Sequence, residues 1–353
     1  MNKRMAIRRF LIVGMAATCL ALTSFTAVAQ TKANPVKIKF VLDWRFEGPS
    51  ALFLLPLAKG YFADEGLDVT IDGGVGSGST VNRVASGAYD MGIADLGAMM
   101  EFIGNNQASA ANRLQGVYLV YEQAPLAIFS LKKSHISKPT DLEGKTLGAP
   151  VSEGARKLFS LFTKANNIDP NKLNWKTMDP ALRETMLMRG DVDAITGFYF
   201  TSLINLNARG VKDEDIDTMQ FLDYGVKMYG NAIFANTAFI KSNPKAVAAF
   251  LRAFTRGMRD VAADPDGAIK YVHDRDPLID VALEKRRLRL TLSSAVETPY
   301  ARANGLGTVE KSRLVEMTKQ IADAFDIKQM PSADSLFNTS FMPPKADRQI
   351  FPK

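Results

Sequence analysis

Val36-Lys37-Ile38-Lys39-Phe40-Val41-Leu42-Asp43-Trp44 alternates apolar and polar residues and then turns fully apolar, the pattern of a strand entering a core. Its carboxyl end carries an acid and an indole. Apolar residues at helical spacing follow over 50–62 and stop at Gly66, and 67–71 reads as a second strand. Pro56 predicts a kink in that helix. Gly73-Gly74-Val75-Gly76-Ser77-Gly78-Ser79-Thr80 then reads as a loop opening a helix over 81–86, with Ser77 or Ser79 capping the free N–H groups. A strand at 91–94, a helix at 96–103 and strand-like runs at 117–121 and 126–131 complete the unit. This order predicts an α/β architecture, a mainly parallel sheet covered on both faces.

The plan repeats further along, with strands at 146–149, 173–178 and 194–197 and helices at 155–165 and 180–188. Both units feed a strand through a helix-ending Gly-x-x-Asp, at Gly87-Ala88-Tyr89-Asp90 and at Gly190-Asp191-Val192-Asp193. After Tyr224-Gly225 comes one strand, 232–235, and then helices over 244–262, 267–272, 281–294 and 311–325. So helical a segment needs a sheet to cover, and the first unit supplies it. The expected organisation is therefore lobe I from 36–126 plus 232–330, lobe II from 127–231, and a proline-containing tail over 331–353. Two crossings, near 122–125 and 223–229, join the lobes. Carboxyl ends of parallel strands form ligand crevices, so facing lobes place two such rims across one cleft.

The 353 residues are 46% hydrophobic and 23% charged, an ordinary globular balance. Lys3, Arg4, Arg8 and Arg9 precede an apolar run over 10–25 and then Ala27-Val28-Ala29, which predicts an export signal cleaved after Ala29. The run is short for a membrane span and holds Thr18, Thr23 and Ser24. Phe10 stands directly after Arg8-Arg9, against a twin-arginine signal. A lipoprotein site at Cys19 is the alternative, disfavoured by the bulky Thr18 before it. Without residues 1–29 the chain has 40 basic against 37 acidic residues, so the formal charge falls from +7 to +3. No basic patch with interleaved aromatics remains, which excludes nucleic acid as the expected partner. Cys19 is the only cysteine, so residues 30–353 have no disulfide, thiol nucleophile or thiolate metal site.

Taken together, Val41-Leu42-Asp43-Trp44, Ala58-Lys59-Gly60-Tyr61-Phe62-Ala63-Asp64-Glu65-Gly66-Leu67-Asp68-Val69, Gly76-Ser77-Gly78-Ser79, Gly87-Ala88-Tyr89-Asp90-Met91-Gly92 and Asp141-Leu142-Glu143-Gly144-Lys145-Thr146-Leu147-Gly148 resemble the SsuA/THI5-like (NMT1-like) solute-binding proteins of ABC transporters. The resemblance implies the two-lobed periplasmic binding protein fold, type II-like, closing on a small ligand such as a sulfonate, a carboxylate or a pyrimidine. It implies a periplasmic, monomeric partner of a membrane permease. One branch, the thiamine pyrimidine synthases, is enzymatic, with an active-site histidine and a cysteine-rich motif. This chain departs there, since its histidines, His135 and His273, sit in surface-like contexts. Pyrimidine binders also follow Asp-Trp with Pro-Asn, where this chain has Arg45-Phe46-Glu47-Gly48-Pro49.

Candidate ligand contacts fall at strand ends and helix starts. Asp43, Trp44 and Arg45 end the first strand, where an indole stacks on a planar ligand and a guanidinium pairs with an anion; the alternative is a Trp44 that plugs the core. Ser77, Gly78, Ser79 and Thr80 offer hydroxyl and N–H donors, against a plain capped turn. Ser152 and Glu153 form the matching loop of the second lobe, with Ser152 as the expected cap, and Phe198 with Tyr199 offers an aromatic wall. Asp95, Glu122, Tyr229 and Asn231 lie at a strand end and at the crossings, where they either meet the ligand or satisfy the hinge backbone. The run Glu284-Lys285-Arg286-Arg287-Leu288-Arg289 reads as a solvated helix face. No H-E-x-x-H or G-x-S-x-G occurs, so a binding protein without catalytic residues, metal or cofactor is expected.

Overall fold

The computed structural model describes residues 34–106 and 114–351; the expected export signal lies outside the described residues. In chain order the strands are β1 Val36–Val41, β2 Leu67–Asp72, β3 Met91–Asp95, β4 Leu114–Leu119, β5 Leu126–Leu131, β6 Thr146–Ala149, β7 Asn174–Thr177, β8 Ala194–Phe198, β9 Ile216–Gln220 and β10 Asn231–Asn236. They form two five-stranded sheets, ordered β2-β1-β3-β10-β4 and β7-β6-β8-β5-β9. In the first, β1 runs parallel to β2 and β3 while β10 is antiparallel to β3 and β4. In the second, β6 runs parallel to β7 and β8 while β5 is antiparallel to β8 and β9. Each sheet is thus mixed, with its fourth strand reversed. Both reversed strands follow a passage from one sheet to the other, so the same topology is built twice.

The helices that shape the site are α1 Ala51–Ala58, α2 Ser77–Ala85, α3 Leu96–Asn105, α4 Gly154–Lys157, α5 Phe159–Ala165, α6 Arg183–Arg189, α7 Tyr199–Ala208, α8 Pro244–Ala263, α9 Val281–Thr291 and α10 Lys311–Ala324. The alternation in β2 is strict, with Leu67, Val69 and Ile71 buried and the residues between them exposed. Period two sends one row of side chains inward, where α1 and α8 cover the first sheet. Phe40 of β1 packs on Phe53 of α1 and Phe250 of α8, with centroids 5.0 and 5.1 Å apart. Each such ring contributes about 1.5–3 kcal/mol of apolar burial, which anchors β1 and hence the position of Asp43 and Trp44. Pro56 lies in the last turn of α1 and packs against Gly257 of α8; the helix ends soon after at Lys59 rather than continuing through a kink to 62.

Three further expected helices near the site differ in their boundaries. α2 starts at Ser77, four residues before the expected Val81, and its N-cap is Gly76, whose backbone accepts from Thr80 N–H. No serine side chain caps it. Residues 155–165 split at Leu158 into α4 and α5. Pro180 opens a short 3-10 turn, held by Asp179 accepting from Ala181 N–H at 2.8 Å, so α6 begins only at Arg183. β9 and α7 lack a clean period in sequence and were not anticipated. Residues of the tail lie along the first sheet, where Phe337 bridges to Gly116 and Asn338 N–H donates to the Gly116 carbonyl at 2.8 Å.

Candidate functional site

The carboxyl ends of β1 and β3 face those of β6 and β8 across a narrow gap. Asp43, Trp44 and Ser77 line it from the first sheet's side, and Glu153, Arg183 and Phe198 from the second's. The space between them is about 20 Å³. A neighbouring space of about 30 Å³ lies behind Trp44, reaching Arg45, Glu47, Tyr121 and Phe200. Each holds roughly one water. The lobes meet closely here and leave no room for an organic molecule in this arrangement.

Direct contacts hold this arrangement. Gly78 N–H donates to the Ser152 carbonyl at 3.0 Å, and the Ser152 hydroxyl donates to the Val75 carbonyl at 2.8 Å. Gly76, with φ 129°, brings the loop so near that a Cβ there would collide with the Ser152 carbonyl. Only glycine serves at this point. Lys157 pairs with Glu101 at 3.1 Å, and the Arg183 guanidinium stands 5.2 Å from the Trp44 ring centroid. Arg183 is fully buried and gives Nε and Nη2 to Glu184 Oε1 at 3.0 and 2.7 Å. Among the described residues no protein acceptor meets its Nη1.

Carboxylates gather on and beneath the floor. Asn231 donates its amide to Asp43 at 2.7 Å, and Asp95 caps α3 by accepting from Gly97 and Ala98 N–H at 2.8 and 3.2 Å. Asn231 and Asp95 are paired across the β10–β3 ladder, so their side chains share a face. Among the described residues, Asp95 Oδ2 and Asn231 Oδ1 are buried acceptors without a donor. Burial, only partly relieved by Asn231, pushes the Asp43 carboxyl up to about 6. Burial likewise pushes Asp95 up to about 7 against the relief from the α3 N–H groups, with Asp43 and Glu153 adding repulsion. Glu153, not Ser152, is the cap of α4, accepting from Ala155 and Arg156 N–H at 2.9 and 2.8 Å and from the Thr196 hydroxyl at 2.9 Å.

Of the expected contacts, Asp43, Trp44, Arg45, Ser77, Glu153 and Phe198 line one or both spaces. Gly78 and Ser152 close the rim. Thr80 points elsewhere, its hydroxyl donating to the Leu42 carbonyl at 2.8 Å, and Ser79 lines neither space. Tyr199 also lies outside them and packs in the second lobe's own core. Asp95 and Asn231 sit beneath the floor rather than on it. Glu122 and Tyr229 are engaged by Arg313 at the crossings, where the first pairs with its guanidinium and the second's ring lies 4.0 Å from it.

Sequence reading missed two arginines. Nothing in the sequence sets Arg183 apart from the other residues of the expected helix over 180–188. Arg287, expected on a solvated face, is buried between the lobes: it bonds Glu284 at 2.8 Å, the Thr201 carbonyl at 2.9 Å and Asn205 at 2.8 Å, and pairs with Glu47 at 3.4 Å. Burial raises the Glu47 carboxyl, and Arg287 opposes that rise. The available signal was Glu284-x-x-Arg287, an i,i+3 pair on one helix face.

Two facing α/β lobes of equal topology, joined by two crossings and closing on an interlobe site, define the periplasmic binding protein class. Within it, the chain belongs to the NMT1/THI5-like family, whose pattern matches residues 49–268. Riboflavin-binding protein RibY of Chloroflexus aurantiacus is 22% identical over 305 residues, covering 83% of this chain and 84% of the relative. The formylaminopyrimidine-binding protein of Halalkalibacterium halodurans is 24% identical, covering 75% and 79%. A 4-amino-5-hydroxymethyl-2-methylpyrimidine phosphate synthase of Aspergillus parasiticus is 24% identical, covering 71% and 74%. The alkanesulfonate-binding protein SsuA of Xanthomonas axonopodis pv. citri, bound to MOPS, shares the fold with a TM-score of 0.65 at 14% identity, covering 86% of this chain and 97% of that one.

Proposed function

We propose that the chain is the periplasmic solute-binding component of an ABC importer, and that it captures a planar, nitrogen-containing ring by lobe closure without chemical turnover. The carrying observation is the make-up of the closed site. Trp44 and Phe198 supply aromatic faces, Asp43 and Glu153 supply acceptors, and Arg183, the guanidinium lining the same space, is already paired with Glu184, while Arg45 reaches only the neighbouring space. A sulfonate there would meet more negative charge than positive, whereas a heteroaromatic ring with N–H donors and a ring-nitrogen acceptor meets both Asp43 and Arg183 Nη1. The binding relatives for formylaminopyrimidine and riboflavin handle ligands of that chemical kind.

The expected export signal supports the periplasmic placement, and a binding protein of this class delivers its ligand to a membrane permease. The synthase reading is not favoured by the site. His135 is exposed and His273 half-buried on an outer helix, and neither lines the interlobe spaces. A thermal-shift panel of riboflavin, 4-amino-5-hydroxymethyl-2-methylpyrimidine and MOPS tests the reading, because a ligand specific for the folded state raises the melting temperature by mass action. A shift with a ring compound is expected; a shift with MOPS alone refutes the ring class.

A further inference from the structure

We propose that Arg313, which touches neither interlobe space, is a positioning residue that sets the balance between open and closed lobes. The inference rests on the reading that binding proceeds by lobe closure. The chain passes between the sheets twice, from β4 to β5 and from β9 back to β10. These two crossings lie against each other: Gly230 N–H donates to the Tyr121 carbonyl at 3.0 Å and Ala124 N–H to the Met228 carbonyl at 3.2 Å. The packing is so close that a Cβ on Gly230 would lie 2.9 Å from the Gln123 carbonyl and from Tyr121 Cβ. Any rotation of one lobe on the other must be absorbed here, at few residues.

Arg313 holds both crossings at once. Its Nη2 donates to the carbonyls of Glu122 at 3.1 Å and Met228 at 3.2 Å, residues far apart in the chain. Its Nη1 pairs with the Glu122 carboxylate, and its guanidinium lies over the Tyr229 ring. The Tyr229 hydroxyl in turn accepts from Glu310 N–H at 2.8 Å, one turn before Arg313. The rest of α10 continues across both lobes, packing on α3 of the first and α5 of the second, where the Lys164 amine bonds the Asp323 carbonyl. One helix start is thus fastened to both hinge strands by charge-assisted bonds, and its body is fastened to both lobes. The clamp is complete in the closed arrangement, and its loss shifts the population toward the open one.

The Val75 and Val151 side chains are exposed on opposite rims of the cleft, and with Cys19→Ser no other cysteine remains. Spin labels on Val75→Cys and Val151→Cys therefore read lobe separation without ligand. The expected result is a short-distance population that Arg313→Met lowers roughly fivefold or more and that Arg313→Lys partly regains. Glu122→Gln, which removes the ion pair and spares both backbone bonds, gives a smaller shift in the same direction and carries the test if Arg313→Met does not fold. An unchanged distribution in a folded Arg313→Met chain overturns the proposal, as does a wild-type chain with no short-distance population. If the variants shift the distances while no compound of the panel alters them, the hinge assignment stands and the ligand assignment fails.

Discussion

The Arg183 guanidinium lies 5.2 Å from the centroid of the Trp44 ring, joining the start of α6 in the second lobe to the end of β1 in the first. The pair spans the cleft, so each partner has a different expected phenotype. Trp44 is half-buried and Arg183 fully buried. Removing Arg183 strands Glu184, which is equally buried, and loss of one partner of a buried ion pair costs about 3–5 kcal/mol. Arg183→Met should lower the urea midpoint strongly, whereas Trp44→Ala should leave it nearly unchanged.

Gly76 gives a conformational prediction. Its positive φ and its approach to the Ser152 carbonyl exclude a Cβ in the closed state, while the separated lobes relieve the collision. Gly76→Ala should therefore remain folded with a modest loss of stability but scatter as a more extended particle. A ligand-saturated variant as compact as the wild type would count against the tight rim.

The two raised carboxyls set a pH dependence. With folded values of about 6 for Asp43 and about 7 for Asp95, both above the unfolded carboxylate range, the native state binds more protons than the unfolded chain between roughly pH 4 and 7. Their stabilising contribution is full below the unfolded value and is lost as pH rises through the folded values, at up to about 1.4 kcal/mol per pH unit for each group. Asp95→Asn keeps a good helix cap and supplies an amide donor toward the orphaned Asn231 Oδ1. Denaturation across this range should show the variant more stable than wild type above pH 7, with a flatter decline. A parallel decline in both would show that Asp95 does not titrate there.

The interlobe ion cluster around Arg287 yields a stability test. Arg287→Met leaves Glu284 and Glu47 facing each other without their cation, and about 3–5 kcal/mol should be lost. The double variant Arg287→Met with Glu284→Gln should regain part of it. A loss below about 0.5 kcal/mol in Arg287→Met would mean that the helix face is solvated after all.

Much of this fold was legible because its signals are local. The alternation in β1 and β2, the Gly-x-x-Asp entries to β3 and β8 and the late strand β10 are each written within a few residues. Trp44 and Ser77 followed from their positions after strands of one sheet. Arg183 and the Arg313 clamp were not legible, and Arg287 only through its local pair with Glu284, because what buries a charged side chain is a partner more than 80 residues away or the other lobe, and no period in sequence records that. Ser79, Thr80 and Tyr199 lie off the interlobe spaces for the converse reason: a one-residue step along a helix start turns a side chain from the cleft to the sheet behind it, as the Thr80 bond to Leu42 shows.

The central claim is that a planar nitrogen heterocycle is held against Trp44 in the closed cleft. Calorimetric titration of 4-amino-5-hydroxymethyl-2-methylpyrimidine and riboflavin into wild type, Trp44→Ala and Ser79→Ala, each with a melting curve, tests it most directly. At least one ring compound should bind the wild type. Its affinity should fall about thirtyfold in folded Trp44→Ala, the roughly 2 kcal/mol of a lost aromatic anchor, and stay unchanged in Ser79→Ala. Binding of MOPS with no ring compound bound, or a folded Trp44→Ala variant with wild-type affinity, would contradict the account.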